Sequence, residues 1–152
     1  MKETQRIVKL FEDLYEGSPW IDVNLKNTLE QLTALQAAKK VLPGRNSIWE
    51  IVNHLIQWRF NVLQRVQGKK MISPDDNYFT TITDTSDTAW RKTLEQLKSS
   101  QAQWLGYLSA LTEDDFSKIF AGNNMTYYEH IHGIMQHDAY HIGQIVMLTK
   151  LL

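Results

Sequence analysis

Residues 126–152 read TYYEHIHGIMQHDAYHIGQIVMLTKLL. Thr126-Tyr127-Tyr128-Glu129 has the form of a capping box, in which a hydroxyl accepts a free backbone N–H and the Glu reaches back to the cap. A helix is therefore predicted from about residue 126 almost to residue 152. At about 100° per residue, His130, Ile134, His137, His141, Ile145, Leu148 and Leu152 share one stripe, the seam that should face a core. Helical bundles normally place Leu or Ile on such a seam. Imidazoles there leave polar nitrogens that cost free energy until they find partners. The spacing of His137 and His141 stacks two rings one turn apart, as two ligands of one ion require. By spacing alone, two separately hydrogen-bonded core histidines remain an equal reading.

The same periodicity recurs upstream. Ile7, Leu10, Phe11 and Leu14 mark a helix over 3–16, stopped by Gly17, Ser18 and Pro19. Residues 20–32 form at most a short helical turn, and Thr33-Ala34-Leu35-Gln36 has the form of another capping box. Pro43 and Gly44 end that region. Ser47-Ile48-Trp49-Glu50 then caps a helix over 47–67, and Trp90, Leu94, Leu97, Trp104, Leu105 and Leu108 mark one over 86–110. The intervening stretch, 68–85, contains Pro74 and is long for a bundle connection. It can return along a whole helix and let the second and third helices run parallel, serving as a crossover, a lid or both. The prediction is an all-α four-helix bundle in a single domain, 1–152.

Composition narrows the function. Sixteen Lys and Arg against seventeen Asp and Glu give a net charge of -1, with no basic block, so neither nucleic acid nor an anionic membrane is an expected partner. No apolar run approaches the roughly 18 residues of a membrane helix, and residues 1–20 lack the apolar segment of a secretion signal. A cytoplasmic protein with a small-molecule substrate is expected. There is no Cys, so a metal site must use His, Asp or Glu.

His54 borders the apolar stripe of Ile51, Leu55, Trp58 and Val62 and supplies a third inward imidazole. His132 projects to the far side of its helix and is expected at the surface. His130 lies about 10.5 Å along the axis from His137, too far for the same ion, and is placed lower in the same cavity. Gln144, Asp138 and Glu50 are candidates to orient an imidazole N–H, each with a plainer alternative in a neighbouring helix, a Lys or Arg, or a cap. Tyr140 points to one side of His137, toward the pocket rim or a dimer interface. Trp49, Trp58, Trp90 and Trp104 are read as core or dimer packing, and Glu113-Asp114-Asp115 as loop and cap carboxylates.

The stretch His137-Asp138-Ala139-Tyr140-His141-Ile142-Gly143-Gln144-Ile145 resembles the closing helix of the DinB-like superfamily, which includes YfiT-type metal-dependent hydrolases and bacillithiol S-transferases. Ser47-Ile48-Trp49-Glu50-Ile51-Val52-Asn53-His54-Leu55 resembles that family's second-helix motif, and Pro43-Gly44 and Trp20 also fit. The resemblance implies a bundle with a long crossover between helices 2 and 3, and homodimers. It carries the family's metal triad onto His54, His137 and His141. Three imidazoles with an open position let a divalent ion (Ni, Zn, Mn or Fe) act as a Lewis acid on water or on a low-molecular-weight thiol such as bacillithiol. A hydrolase or thiol transferase is the expected activity. The alternatives are a non-catalytic metal- or ligand-binding stress-response module, and a triad that only holds helices together.

Overall fold

Side-chain caps fix the helix starts. The hydroxyl of Ser47 accepts from Glu50 N while the Glu50 carboxylate accepts Ser47 N–H at 2.7 Å, and Thr33 with Gln36 and Thr126 with Glu129 do the same. The structure, a computed structural model, describes residues 2–152. In chain order the helices are α1 (Glu3–Tyr15), α2 (Leu25–Glu30), α3 (Ala34–Ala38), α4 (Ile48–Val66), α5 (Asp87–Ala110) and α6 (Tyr127–Thr149). A 3-10 turn, Glu113–Ser117, precedes α6, and Asp115 accepts Thr112 N–H at 2.7 Å to cap it. The fold is all-helical, as the periodicity predicts; one isolated bridge pairs Ile119 with Thr126. Among the described residues no helix is long and apolar enough to cross a membrane.

The long helices α1, α4, α5 and α6 form the bundle, and α2 and α3 close one end. Side-chain bonds reveal the directions. Trp49 Nε1 donates to Thr93, Arg59 to Ser100 and Gln101, and Tyr107 to the Val66 carbonyl. The order ascends in both helices, so α4 and α5 run parallel and the segment between them crosses the length of the bundle. Gly68, at φ +80°, lets the chain leave α4 in a conformation that L side chains rarely adopt.

Two apolar clusters fill the interior. One gathers Trp49, Leu55, Trp90, Leu97, Ile142 and Ile145, and the other Phe11, Val62, Trp104, Leu108, Ile131 and Ile134. The buried indoles of Trp90 and Trp104 each donate to a backbone carbonyl, Leu32 and Arg59 respectively, so these rings pack without stranding a donor.

Between the clusters lies a polar layer centred on Arg59, which is fully buried. Its Nε donates to Asp138 Oδ2 at 2.8 Å, and its terminal nitrogens donate to Ser100 Oγ at 3.3 Å and Gln101 Oε1 at 3.0 Å. Gln101 in turn donates to the Phe11 carbonyl. One guanidinium thus ties α4 to α5 and α6 directly, and to α1 through one amide. Burial pushes the Asp138 carboxyl pKa up, and the adjacent guanidinium opposes that rise.

Removing one partner of a buried ion pair leaves an uncompensated charge. Arg59→Met should lower the unfolding free energy by about 3–5 kcal/mol, read by urea denaturation. The double variant Arg59→Met with Asp138→Leu should recover most of that loss; additive losses would show that the pair is uncoupled.

Candidate metal centre

His54 projects from α4, five residues before Arg59, and His137 and His141 project from α6 on either side of Asp138 in the sequence. One ring nitrogen from each of the three falls within 4.8 Å of the others. His54 Nε2 and His137 Nε2 are 2.9 Å apart, and the His141 ring centre lies 4.6 Å from that of His54 and 4.5 Å from that of His137.

Hydrogen bonds choose the tautomers. His54 Nδ1 lies 2.6 Å from the Asn77 carbonyl, which can only accept, so Nδ1 carries the proton and Nε2 presents a lone pair. His141 Nδ1 lies 2.7 Å from Gln144 Oε1, with the same consequence. Burial lowers the pKa of all three rings. For His137, burial, then His141, His54 and Arg59, push it down to about 3; His54 and His141 are lowered chiefly by burial. The triad is therefore neutral at neutral pH, the form in which imidazole binds metals.

The donors fit a divalent ion. A single proton can bridge His54 Nε2 and His137 Nε2, but it leaves the lone pair of His141 Nε2 unserved, whereas one ion can meet all three. Ring nitrogens bound about 2.1 Å from one ion lie roughly 3.0 Å apart at octahedral angles and about 3.4 Å apart at tetrahedral ones, and the 2.9 Å contact here sits at the short end of that range.

Two of the orienting groups are placed elsewhere. Asp138 reaches no imidazole, because it projects about 60° to one side of His141 and meets Arg59. Glu50 is held by Ser47 N–H and by Lys40 Nζ at 3.0 Å. Gln144 does contact a ring. His130 is buried but lines a second, smaller cavity rather than the triad's own, and bonds Asn123 at 3.2 Å. Tyr140 stands 64% exposed at the mouth, its ring centre 5.0 Å from that of His141. His132 is half-buried against Tyr128 rather than at the open surface.

The crossover supplies what the sequence pattern did not indicate. Asn77 and Tyr78 both have positive φ, +51° and +63°, a reversal that aims the Asn77 carbonyl at His54. Phe79 then stacks on the His54 ring, centres 4.0 Å apart. Trp58 packs against the second apolar cluster but is only half-buried, and its Nε1 donates to Asn77 Oδ1 at 2.9 Å; Asn61 holds the Tyr78 hydroxyl at 2.8 Å. The segment is thus a wall of the site, fastened to α4. The only sequence signal was a short polar run ending in Asn77, a residue type that tolerates positive φ.

The triad opens on a cavity of about 550 Å³ whose apolar side is formed by Ile51, Met147, Leu148 and Leu151. Among the described residues no Asp or Glu lines it.

Trp58→Phe deletes one bond to the wall, and amide exchange over 77–79 should accelerate by about threefold to tenfold, the equivalent of one hydrogen bond. Unchanged exchange measured by mass spectrometry would show that Phe79 stacking alone holds the segment.

YfiT from Bacillus subtilis, described as a probable metal-dependent hydrolase with an unusual four-helix bundle topology, superposes with a TM-score of 0.72 at 16% identity, over 99% of this chain and 89% of that one. A conserved protein from Enterococcus faecalis superposes with a TM-score of 0.73 at 16% identity, over 99% and 97%. At such identities the likeness is one of fold. No curated protein matches the chain. The profile of the DinB superfamily matches residues 23–145, which span α2 to most of α6 and include all three triad histidines. The chain belongs to the DinB superfamily.

Proposed function

We propose that the protein is a metal-dependent enzyme in which His54, His137 and His141 hold one divalent ion, Ni, Zn, Mn or Fe, and that it hydrolyses a small molecule. The convergence of three neutral imidazoles at the floor of a cavity carries this reading. A divalent ion bound there supplies Lewis acidity, polarising a substrate oxygen and lowering the pKa of a water or thiol beside it. The chain's own residues do the rest. The Asn77 carbonyl and Gln144 hold two rings in their ligating tautomers. Phe79 and the apolar side of the cavity limit water around the reacting atoms.

A second reading, transfer of a low-molecular-weight thiol, is favoured by the lack of a carboxylate among the described residues lining the cavity. A thiol starts near pKa 8.5 and needs less help from a general base than water does. We further propose a cytoplasmic homodimer, supported by the exposed apolar side chains of Tyr140, Met147 and Leu151 along one side of α6 and the segment after it.

Elemental analysis of untagged protein should give close to one divalent ion per chain, and His137→Ala should lose it while circular dichroism stays helical. A parent without metal that also fails to bind added Zn, Ni or Mn would refute the reading. Loaded protein offered esters and amides, and separately a thiol with monochlorobimane, should turn over the first set; turnover of the second alone would select the transferase. Light scattering should return twice the mass of one chain.

A further inference from the structure

The smaller cavity, about 330 Å³, shares His137 and Asn77 with the larger one, so the two meet at the triad. Their linings differ. The larger has a broad apolar side, Ile51, Met147, Leu148 and Leu151, whereas the smaller gathers Arg65, His130, Asn123 and Glu129. Arg65 is held between two aromatic faces, its guanidinium carbon 5.5 Å from the Trp58 ring centre and 5.9 Å from that of Phe120. Its Nε is buried with no hydrogen-bond partner, and Nη2 reaches only a long 3.4 Å contact to Ser73 Oγ. No ion pair among the described residues involves Arg65. A buried N–H donor of a cation costs free energy until an acceptor meets it.

Most other polar atoms of this cavity are already committed. Glu129 spends one carboxylate oxygen, Oε2, on the Thr126 N–H and hydroxyl at 2.7 and 2.8 Å. Asn123 Oδ1 accepts from Met125 N and lies 3.2 Å from His130 Nε2, while its Nδ2 faces the Met125 sulfur, a weak acceptor. What remains open is an arginine fork and an amide N–H₂, both donors, with the second Glu129 oxygen the one open carboxylate acceptor.

We propose that this cavity is a carboxylate subsite in which Arg65, assisted by Asn123, anchors the acidic end of the substrate while its reacting group lies at the triad. The inference rests on the triad being the reacting centre. A guanidinium fork matches two parallel carboxylate oxygens. Glu129 lines the same cavity and opposes anions in proportion to their charge, so a singly charged carboxylate is disfavoured less than a doubly charged phosphate. Val62 and Ile134 form an apolar wall beside Arg65, suited to a short aliphatic spacer. The Arg65 guanidinium and the His137 ring both lie against Trp58, the latter with centres 6.0 Å apart, so a spacer of a few carbons joins the two points. Arg45, the arginine of the larger cavity, is exposed on a loop and lacks such a seat.

The test is a titration of butyrate, followed through the Arg65 Nε–H and Trp58 indole N–H resonances, in zinc-loaded and in chelator-treated full-length protein. Arg65 is assigned through bonds from its own backbone, so no variant is needed for the primary readout. Both resonances should shift and saturate in the millimolar range, as a six-atom ligand allows, and butyramide and inorganic phosphate should bind at least about tenfold more weakly. In Arg65→Gln the Trp58 shift should vanish, whereas Arg45→Gln should keep it. No saturable Arg65 shift, equal binding of butyramide, or a Trp58 shift that survives Arg65→Gln would overturn the subsite. Saturation in the chelator-treated chain, together with failure to bind zinc, would uphold carboxylate binding and sink the metal reading instead.

Discussion

The buried pair of Arg59 and Asp138 is the constraint on which the other features of the bundle depend. Apolar faces slide and rotate against one another at small cost, since many packings bury similar area. A guanidinium at zero exposure, bonded to three side chains on two other helices, accepts one arrangement. Its own desolvation is large and is offset only when each donor meets its acceptor. Rotation of α6 by one residue would leave Asp138 pointing into an apolar cluster and Arg59 without its anion.

That same rotation would scatter the triad. His137 and His141 flank Asp138 on α6, and His54 lies five residues before Arg59 on α4, so the ion pair fixes the two helices in the orientation that brings the three rings together. The site is therefore built on rigid elements, with its precision drawn from a structural contact one layer away. The layered core also separates duties. The clusters on either side bury area, and the polar layer between them specifies which faces meet.

Much of this was legible in the residues. Capping boxes at Ser47 and Thr126 placed the starts of α4 and α6, and histidines on an apolar seam announced a polar core site, because imidazoles there need partners. The long break after Gly68 indicated the parallel pair of α4 and α5. Other features lay beyond one-dimensional reading. Asp138 looks like a neighbour of the histidines in sequence, yet its partner sits 79 residues away on another helix. Arg59 and Arg65, the two arginines of α4, look alike in the sequence; one is the centre of the core and the other lines a cavity, a difference set by helices that pack against them from elsewhere. Trp58 fitted the core stripe by period and was diverted by the loop that returns over it.

The group that fixes the His54 tautomer is a main-chain carbonyl, and a carbonyl is common to all twenty amino acids. The determinant at position 77 is thus a pair of dihedral angles rather than a letter. Any residue that tolerates the left-handed conformation there, Gly and Asp foremost, would hold the imidazole as Asn77 does. In a divergent superfamily such a device leaves little trace in the text of the chain while persisting in its shape. The support of the first histidine is therefore free to drift in spelling, whereas that of the third, written in the side chain of Gln144, is not.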